Sequence, residues 1–434
     1  MTEAAIAATA MSTRPSLALS EHRWLRIVTL FVLYIAQGLP LGFINFALPG
    51  WLAQNDASAA AIGAVLAMAN LPWTFKLAYG VVMDRWAFLA MGRRRPWIML
   101  GQLGMIGTFG VMALMNPTVT EVALVTAFAF ALGMGSAIQD VAVDGLAADI
   151  LPESEIERVN GVMFGGQMTG IAIGTGLRGT LIAYQGVPAA ALALAAILVA
   201  VLALVVAARE RAGERLLPWT AGRATQRNLD IHLGALWPII RDVFKAMSQR
   251  QIVILIVGFV VSMMAPGILN GVKPLFAADV LGWEKDTFTS WSSQAQLLAG
   301  LPAALLFGFA AARWGARRAF IIAAVLTGVC SLAMLALQSH WTNPAVFIGL
   351  IFATETVRAL RLVAGGSLSM RLCTPAIAAT QFAVFMAVLN LGSVLGGLAL
   401  GWLDAVGGIP AMLAAAALCS FVGAGLAITA KVGR

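Results

Sequence analysis

Apolar stretches of about twenty residues follow one another along nearly the whole chain, each long enough to cross a hydrocarbon core of roughly 30 Å. This constrains the fold more than any other feature. Only helices and closed barrels satisfy their backbone polar groups inside a bilayer. A barrel would show short alternating segments instead of continuous runs. The chain therefore reads as an all-α polytopic membrane protein. Of its 434 residues, 60% are apolar and 11% are charged, against about 25% charged in soluble domains. Twelve spans are expected: Leu25–Trp51, Ala59–Met83, Trp97–Met115, Val122–Ile150, Val159–Gln185, Ala189–Ala208, Gln251–Gly271, Ser290–Ala312, Ala319–Leu337, Ala345–Met370, Ala378–Gly401 and Gly408–Lys431. Pro40, Pro49, Pro72 and Pro266 mark expected bends within or at the ends of spans.

The formal charge of +8 does not point to nucleic acid, because the basic residues fall in loops between spans. One side of the membrane collects 22 Lys and Arg and the other only two, Lys273 and Lys285. By the positive-inside rule the rich side is cytoplasmic and holds both termini. The chain then divides into a cytoplasmic tail (1–24), a six-helix bundle (25–208), a cytoplasmic linker (209–250) and a second six-helix bundle (251–431). Within the linker, Leu233, Leu236, Trp237, Ile240, Val243 and Phe244 recur at helical spacing beside Arg241 and Lys245. That pattern fits an amphipathic helix on the inner leaflet, or one packed on the protein's own cytoplasmic face. No removable leader is expected; the first span serves as its own insertion signal. Cys330, Cys373 and Cys419 form no CxxC pair and read as packing residues. The three histidines lie apart and outside the spans, so neither a metal site nor a nucleophilic triad is expected. No phosphate-binding G-x-x-x-x-G-K-S/T loop occurs, so neither ATP hydrolysis nor a cofactor is expected.

The halves echo one another. Gly80 and Asp84-Arg85 close the second span, followed by Gly92-Arg93-Arg94-Arg95. Gly308 and Arg313 close the eighth, followed by Gly315-Ala316-Arg317-Arg318. Glycines recur every fourth position in the fifth and eleventh spans, where they allow helix backbones to approach closely. The G-x-x-x-D-R…G-R-R pattern resembles the signature loop of the major facilitator superfamily, with six residues (Trp86–Met91) inserted before Gly92 and Ala312 in place of a second acid. Leu33-Tyr34-Ile35-Ala36-Gln37-Gly38-Leu39-Pro40-Leu41-Gly42, Leu71-Pro72-Trp73-Thr74-Phe75-Lys76 and Gln139-Asp140-Val141-Ala142-Val143-Asp144-Gly145 together resemble the branch of acetyl-CoA transporters, AmpG-type muropeptide permeases and related siderophore importers. The resemblance implies two six-helix bundles with alternating access. It also implies a cytoplasmic gate loop holding Gly80, Asp84, Arg85, Arg93 and Arg94, echoed by Arg313 and Arg317, with the first, fourth, seventh and tenth spans lining a central cavity.

Charges inside spans are expensive and are retained for a purpose. Asp140 and Asp144 lie one turn apart on one face of the fourth span, and Lys76 falls in the same depth band. A Lys76 pair with Asp140 or Asp144 leaves one acid to spare, a proton-coupling group or else part of a gate. Glu355, Arg358 and Arg361 form a stripe on the tenth span, with Glu355 able to pair with Arg358. Arg suits bidentate binding of a carboxylate or phosphate, so an anionic substrate group is expected there, with a cytoplasmic gate as the alternative. Arg178, Tyr34, Gln37, Asn45 and Gln167 are further candidates for substrate contact. The combined expectation is a monomeric, proton-driven secondary transporter in a bacterial inner membrane. It would move an anionic amphipathic small molecule, most plausibly inward, with the bilayer rather than nucleic acid as its partner. The alternative is a non-transporting protein of the same fold, acting in pigment handling or complex assembly.

Overall fold

The computed structural model describes residues 17–430 apart from 56, 58, 178–180, 233–234 and 284. The first half contains α1 (Arg23–Gly42), α2 (Leu48–Gln54), α3 (Ala59–Asn70), α4 (Lys76–Arg85), α5 (Arg95–Met115), α6 (Val122–Ile150), α7 (Ile156–Gly176) and α8 (Ala183–Ala207). The linker carries α9 (Gln226–Ile231) and α10 (Leu236–Met247). The second half contains α11 (Arg250–Asp279), α12 (Lys285–Ala295), α13 (Leu301–Trp314), α14 (Ala316–Ala336), α15 (Pro344–Arg371), α16 (Ala378–Leu398) and α17 (Leu400–Thr429).

Among the described residues, ten helical stretches are long and apolar enough to cross a membrane. Two of the twelve expected spans, α7 and α15, fall outside that set, although they are 21 and 28 residues long. The reason is compositional: α15 carries Glu355, Arg358 and Arg361, and α7 is interrupted by glycines, Asn160 and Gln167. Both face protein, where polar groups find partners. Pro40 and Pro72 act as expected. A π-helical turn (Phe43–Ala47) follows the first, and a 3-10 stretch (Leu71–Phe75) holds the second and joins α3 to α4. The straight parts of α8 and α17 begin after kinks at Gly186 and at Gly407–Gly408, close to where the sixth and twelfth spans were expected to start.

One large apolar core lies mostly in the first half, and two smaller ones lie in the second. Within the first half α1 packs on α7, and within the second α11 packs on α16, the same contact repeated. Between halves, α4 meets α16 and α7 meets α13. Each seam closes on a glycine. A Cβ on Gly80 would lie 2.8 Å from Thr380 Cα, and one on Gly161 would lie 2.7 Å from Gly308 Cα. Only hydrogen fits at those points, so the halves touch backbone to backbone.

The linker helix α10 begins at Leu236; residues 233–234 lie outside the described set. Its inner stripe, Ile239 and Val243, packs on Ile377. Trp237, Ile240 and Phe244 remain exposed on the other side. One stripe thus seats on protein, as the second of the two sequence expectations has it, and another apolar stripe faces outward.

Candidate functional site

The acid pair of α6 is buried in the first half, and the apolar surroundings force each carboxylate to find a partner. Lys76, at the start of α4, forms an ion pair with Asp140 and lies 4.4 Å from the Trp73 ring centroid. Gln37 of α1 donates its side-chain N–H to the same carboxylate. Asp144 accepts a 2.5 Å hydrogen bond from the Tyr34 hydroxyl. All five residues are at most 4% exposed. Two carboxylates thus share one ammonium: Lys76 serves Asp140, and a neutral phenol serves Asp144.

A second charged cluster sits on α15. Glu355 pairs with Arg358 at 2.6 Å and with Lys273 at 3.2 Å. Lys273 was expected in an outer loop. It lies instead inside α11, which continues to Asp279 rather than stopping near Gly271, so the charge belongs to a helix and not to a loop. Arg361 is buried and bound to neutral groups, the Ser262 carbonyl at 2.5 Å, the Ser262 hydroxyl at 3.1 Å and the Thr327 hydroxyl. Asn270, Lys273, Thr354, Arg358 and Arg361 line a cavity of about 20 Å³, room for one water. The two clusters are separated by α7. Its Phe164 meets Tyr34 edge-on at 5.8 Å, and its Met168 sulfur accepts from Arg358 at 3.5 Å.

The remaining substrate candidates are scattered. Asn45 is half-buried and accepts from Asn70 at 2.8 Å, Gln167 is half-buried on α7, and Arg178 lies outside the described residues.

At the linker end, a buried latch crosses the seam. Asp84 receives Arg94 at 2.5 Å and Arg93 at 3.6 Å. It also receives the backbone N–H of Thr380 at 2.9 Å and the Thr380 hydroxyl at 2.7 Å. Arg93 in turn donates to the carbonyls of Pro375 and Ala376. Asp149 supports both arginines, at 3.3 and 3.6 Å. A second tie joins Arg371 to Glu157 at 2.5 Å. The inserted residues do not keep the arginines from Asp84, because Leu89–Met91 forms a short turn and Gly92 reverses the chain at φ 108°. Arg85 stands beside the latch, 5.3 Å from the Trp86 ring centroid. Arg313 is exposed, and Arg317 caps α17 through the Ala427 and Ile428 carbonyls. The second-half echo therefore does not join the latch, as Ala312 in place of an acid would require.

The linker is fastened to the first half through a carboxylate that sequence reasoning passed over. Glu210 accepts the backbone N–H groups of Arg93, Arg94 and Arg95 at 2.9, 2.7 and 2.5 Å. Arg95 reaches the Ala208 and Leu216 carbonyls, and Arg209 bridges to Leu17 and Leu19 through backbone hydrogen bonds. Next to it, burial and the neighbouring Glu210 push Glu214 up to about 8.

Comparison with known proteins agrees with this architecture. The BT1 family model matches residues 36–409. The chain is 25% identical over 387 residues to the anhydromuropeptide permease of Escherichia coli, covering 87% of this chain and 74% of that one. It is 32% identical over 120 residues to an uncharacterised protein of Haemophilus influenzae, covering 28% of each. Among solved structures, the E. coli fucose:proton symporter FucP superposes with a TM-score of 0.68 at 13% identity, over 94% of this chain and 99% of that one. A bacterial homologue of the iron transporter ferroportin superposes with a TM-score of 0.69 at 12% identity, over 94% and 99%. The chain belongs to the BT1 family, of major-facilitator type, and is a multi-pass membrane transporter.

Proposed function

We propose that the protein is a proton-coupled secondary transporter of an anionic amphipathic solute, working by alternating access and powered by the proton gradient without a cofactor. Twelve spans, with both termini and the linker cytoplasmic, give the orientation in a bacterial inner membrane, and the monomer is the working unit. The observation that carries the reading is the excess of carboxylate at the centre of the first bundle. Lys76 is committed to Asp140, while Asp144 is held by the neutral Tyr34 hydroxyl. Protonating a carboxylate of that kind strands no cationic partner, because Lys76 stays paired with Asp140. With the linker end latched by Asp84, Thr380, Glu157 and Arg371, the conformation is closed toward the cytoplasm and corresponds to the outward-facing half of the cycle.

Across α7, Arg358 is the more available cation of the α15 cluster, with its side chain 27% exposed, and is assigned to the anionic group of the solute. Arg361, buried against neutral partners, positions α15 against α11 and α14. The permease relative favours a sugar-peptide (muropeptide) as the solute, carried inward; acyl-CoA and siderophore are the other members of the class. The test is uptake of anhydromuropeptide into proteoliposomes under an imposed inward proton gradient, with Asp144→Asn alongside. Accumulation that follows the gradient and is lost in the variant supports the reading. Accumulation retained by Asp144→Asn removes that residue from coupling. The absence of flux with any of the three solute classes refutes the solute assignment.

A further inference from the structure

The two halves treat the same turn differently. In the first, Gly92 at φ 108° leads into α5, and the three N–H groups that follow close on the Glu210 carboxylate. Free N–H groups at a helix start, backed by the helix dipole, form a cradle for an anion. In the second half Gly315, at φ 83°, leads into α14 through the echoed Gly-Ala-Arg-Arg sequence. Where the first half is filled by Glu210, the second half has, among the described residues, a cavity of about 660 Å³.

The lining of that cavity says what it accepts. Gly315, Arg317 and Arg318 form one side, and Ile321, Leu368 and Ile428 contribute apolar wall. Arg317 spends its guanidinium on two neutral carbonyls, so its charge stays uncompensated by them. Arg318 is exposed at the rim. Arg371 also lines the cavity, but Glu157 holds it at 2.5 Å. The acid among the lining residues, Glu153, faces Arg371 at 4.0 Å. Trp314, exposed beside the glycine, marks the level at which indole rings sit between water and hydrocarbon. Basic pockets at the ends of membrane helices, walled by apolar side chains, are built for phosphate headgroups.

We propose that this cavity binds the phosphate of an anionic membrane phospholipid, which takes the place that Glu210 fills in the first half. The site is separate from the acid cluster of α6 and is independent of the identity of the transported solute. The shared chemistry is a phosphate anion, supplied either by a lipid or by the solvent, and the experiment separates the two sources.

The full-length protein is placed in nanodiscs of equal phosphatidylglycerol and phosphatidylcholine, extracted, and its retained lipids are counted by native mass spectrometry. One phosphatidylglycerol per protein is expected to be retained preferentially. Arg318→Ala should lower that preference about tenfold, the loss of one charged hydrogen bond. Arg227→Ala removes the same charge from an exposed linker position and should leave it unchanged. In a second arm, discs of phosphatidylcholine alone receive inorganic phosphate or chloride at equal ionic strength, and thermal stability is read. Equal retention of both lipids, with a phosphate-specific stabilisation that Arg318→Ala abolishes, would assign the cradle to free phosphate. Equal retention with no phosphate effect overturns the proposal, as does a phosphatidylglycerol preference that Arg318→Ala leaves intact.

Discussion

Replacing Thr380 by valine tests the latch with little other disturbance. Valine keeps the shape and the backbone N–H, so Asp84 retains that donor and both arginines and no buried charge is left unpaired. What disappears is the 2.7 Å bond from the Thr380 hydroxyl, made across the seam. A hydrogen bond to a charged group contributes about 1.5–3 kcal/mol. Asp84 and Thr380 belong to different halves, so this bond exists only while the linker end is closed. Its loss should shift the closed-to-open ratio by about 10- to 150-fold. Spin labels on the exposed residues Phe88 and Gln249 report the separation of the halves at that end. The wild type is expected to give a short distance, and Thr380→Val to move population to a longer one. Thr380→Ser, which keeps the hydroxyl, should behave as wild type. Identical distance distributions for Thr380→Val and wild type would refute the latch.

Three further outcomes are expected. Lys76→Met strands Asp140 in a buried setting and should cost about 3–5 kcal/mol, seen as a lower melting temperature that Lys76→Met combined with Asp140→Leu largely recovers; equal melting of the two variants would contradict the pair. Glu214 binds a proton more tightly in the docked linker, with its value near 8, than in an undocked one. Docking is therefore strongest below the ordinary carboxylate value and weakens as pH rises from there toward 8. Tryptic cleavage at Arg211 and Arg215, normalised to the unfolded chain, should rise over that window in wild type and stay flat in Glu214→Gln. The exposed Trp237 on α10 should be quenched by brominated lipids in vesicles, and unquenched emission would place that stripe in water.

The sequence made some of this legible because burial leaves few choices. A lysine and two aspartates in apolar helices at one depth must meet, and Lys76 and Asp140 do. Glu355 and Arg358, three apart on one helix, pair for the same reason. Lys273 was not legible: the apolar run fades near Gly271, whereas the helix is held by its neighbours to Asp279, and the lysine pairs with Glu355. Glu210 reads as one more charge in a polar linker, since nothing local reveals that three backbone N–H groups wait for it. Asp149 and Arg371 look like helix-end charges, and their role depends on which loops the bundles bring together. Arg93 and Arg94 could be doubted because of the inserted residues, and only the folded turn shows the insertion looping out of the way.

The glycine contacts at Gly80 and Gly161–Gly308 bear on how the transporter moves. At these points the halves meet backbone to backbone, and the ties around them are ionic and polar. The seam is apolar as well: Ala303, Ala304, Val363 and Phe382 of the second half are buried in the large core of the first. Parting the halves would let water stand in for each polar bond as it breaks, whereas the apolar contacts would be lost at about 25 cal/mol for each Å² exposed.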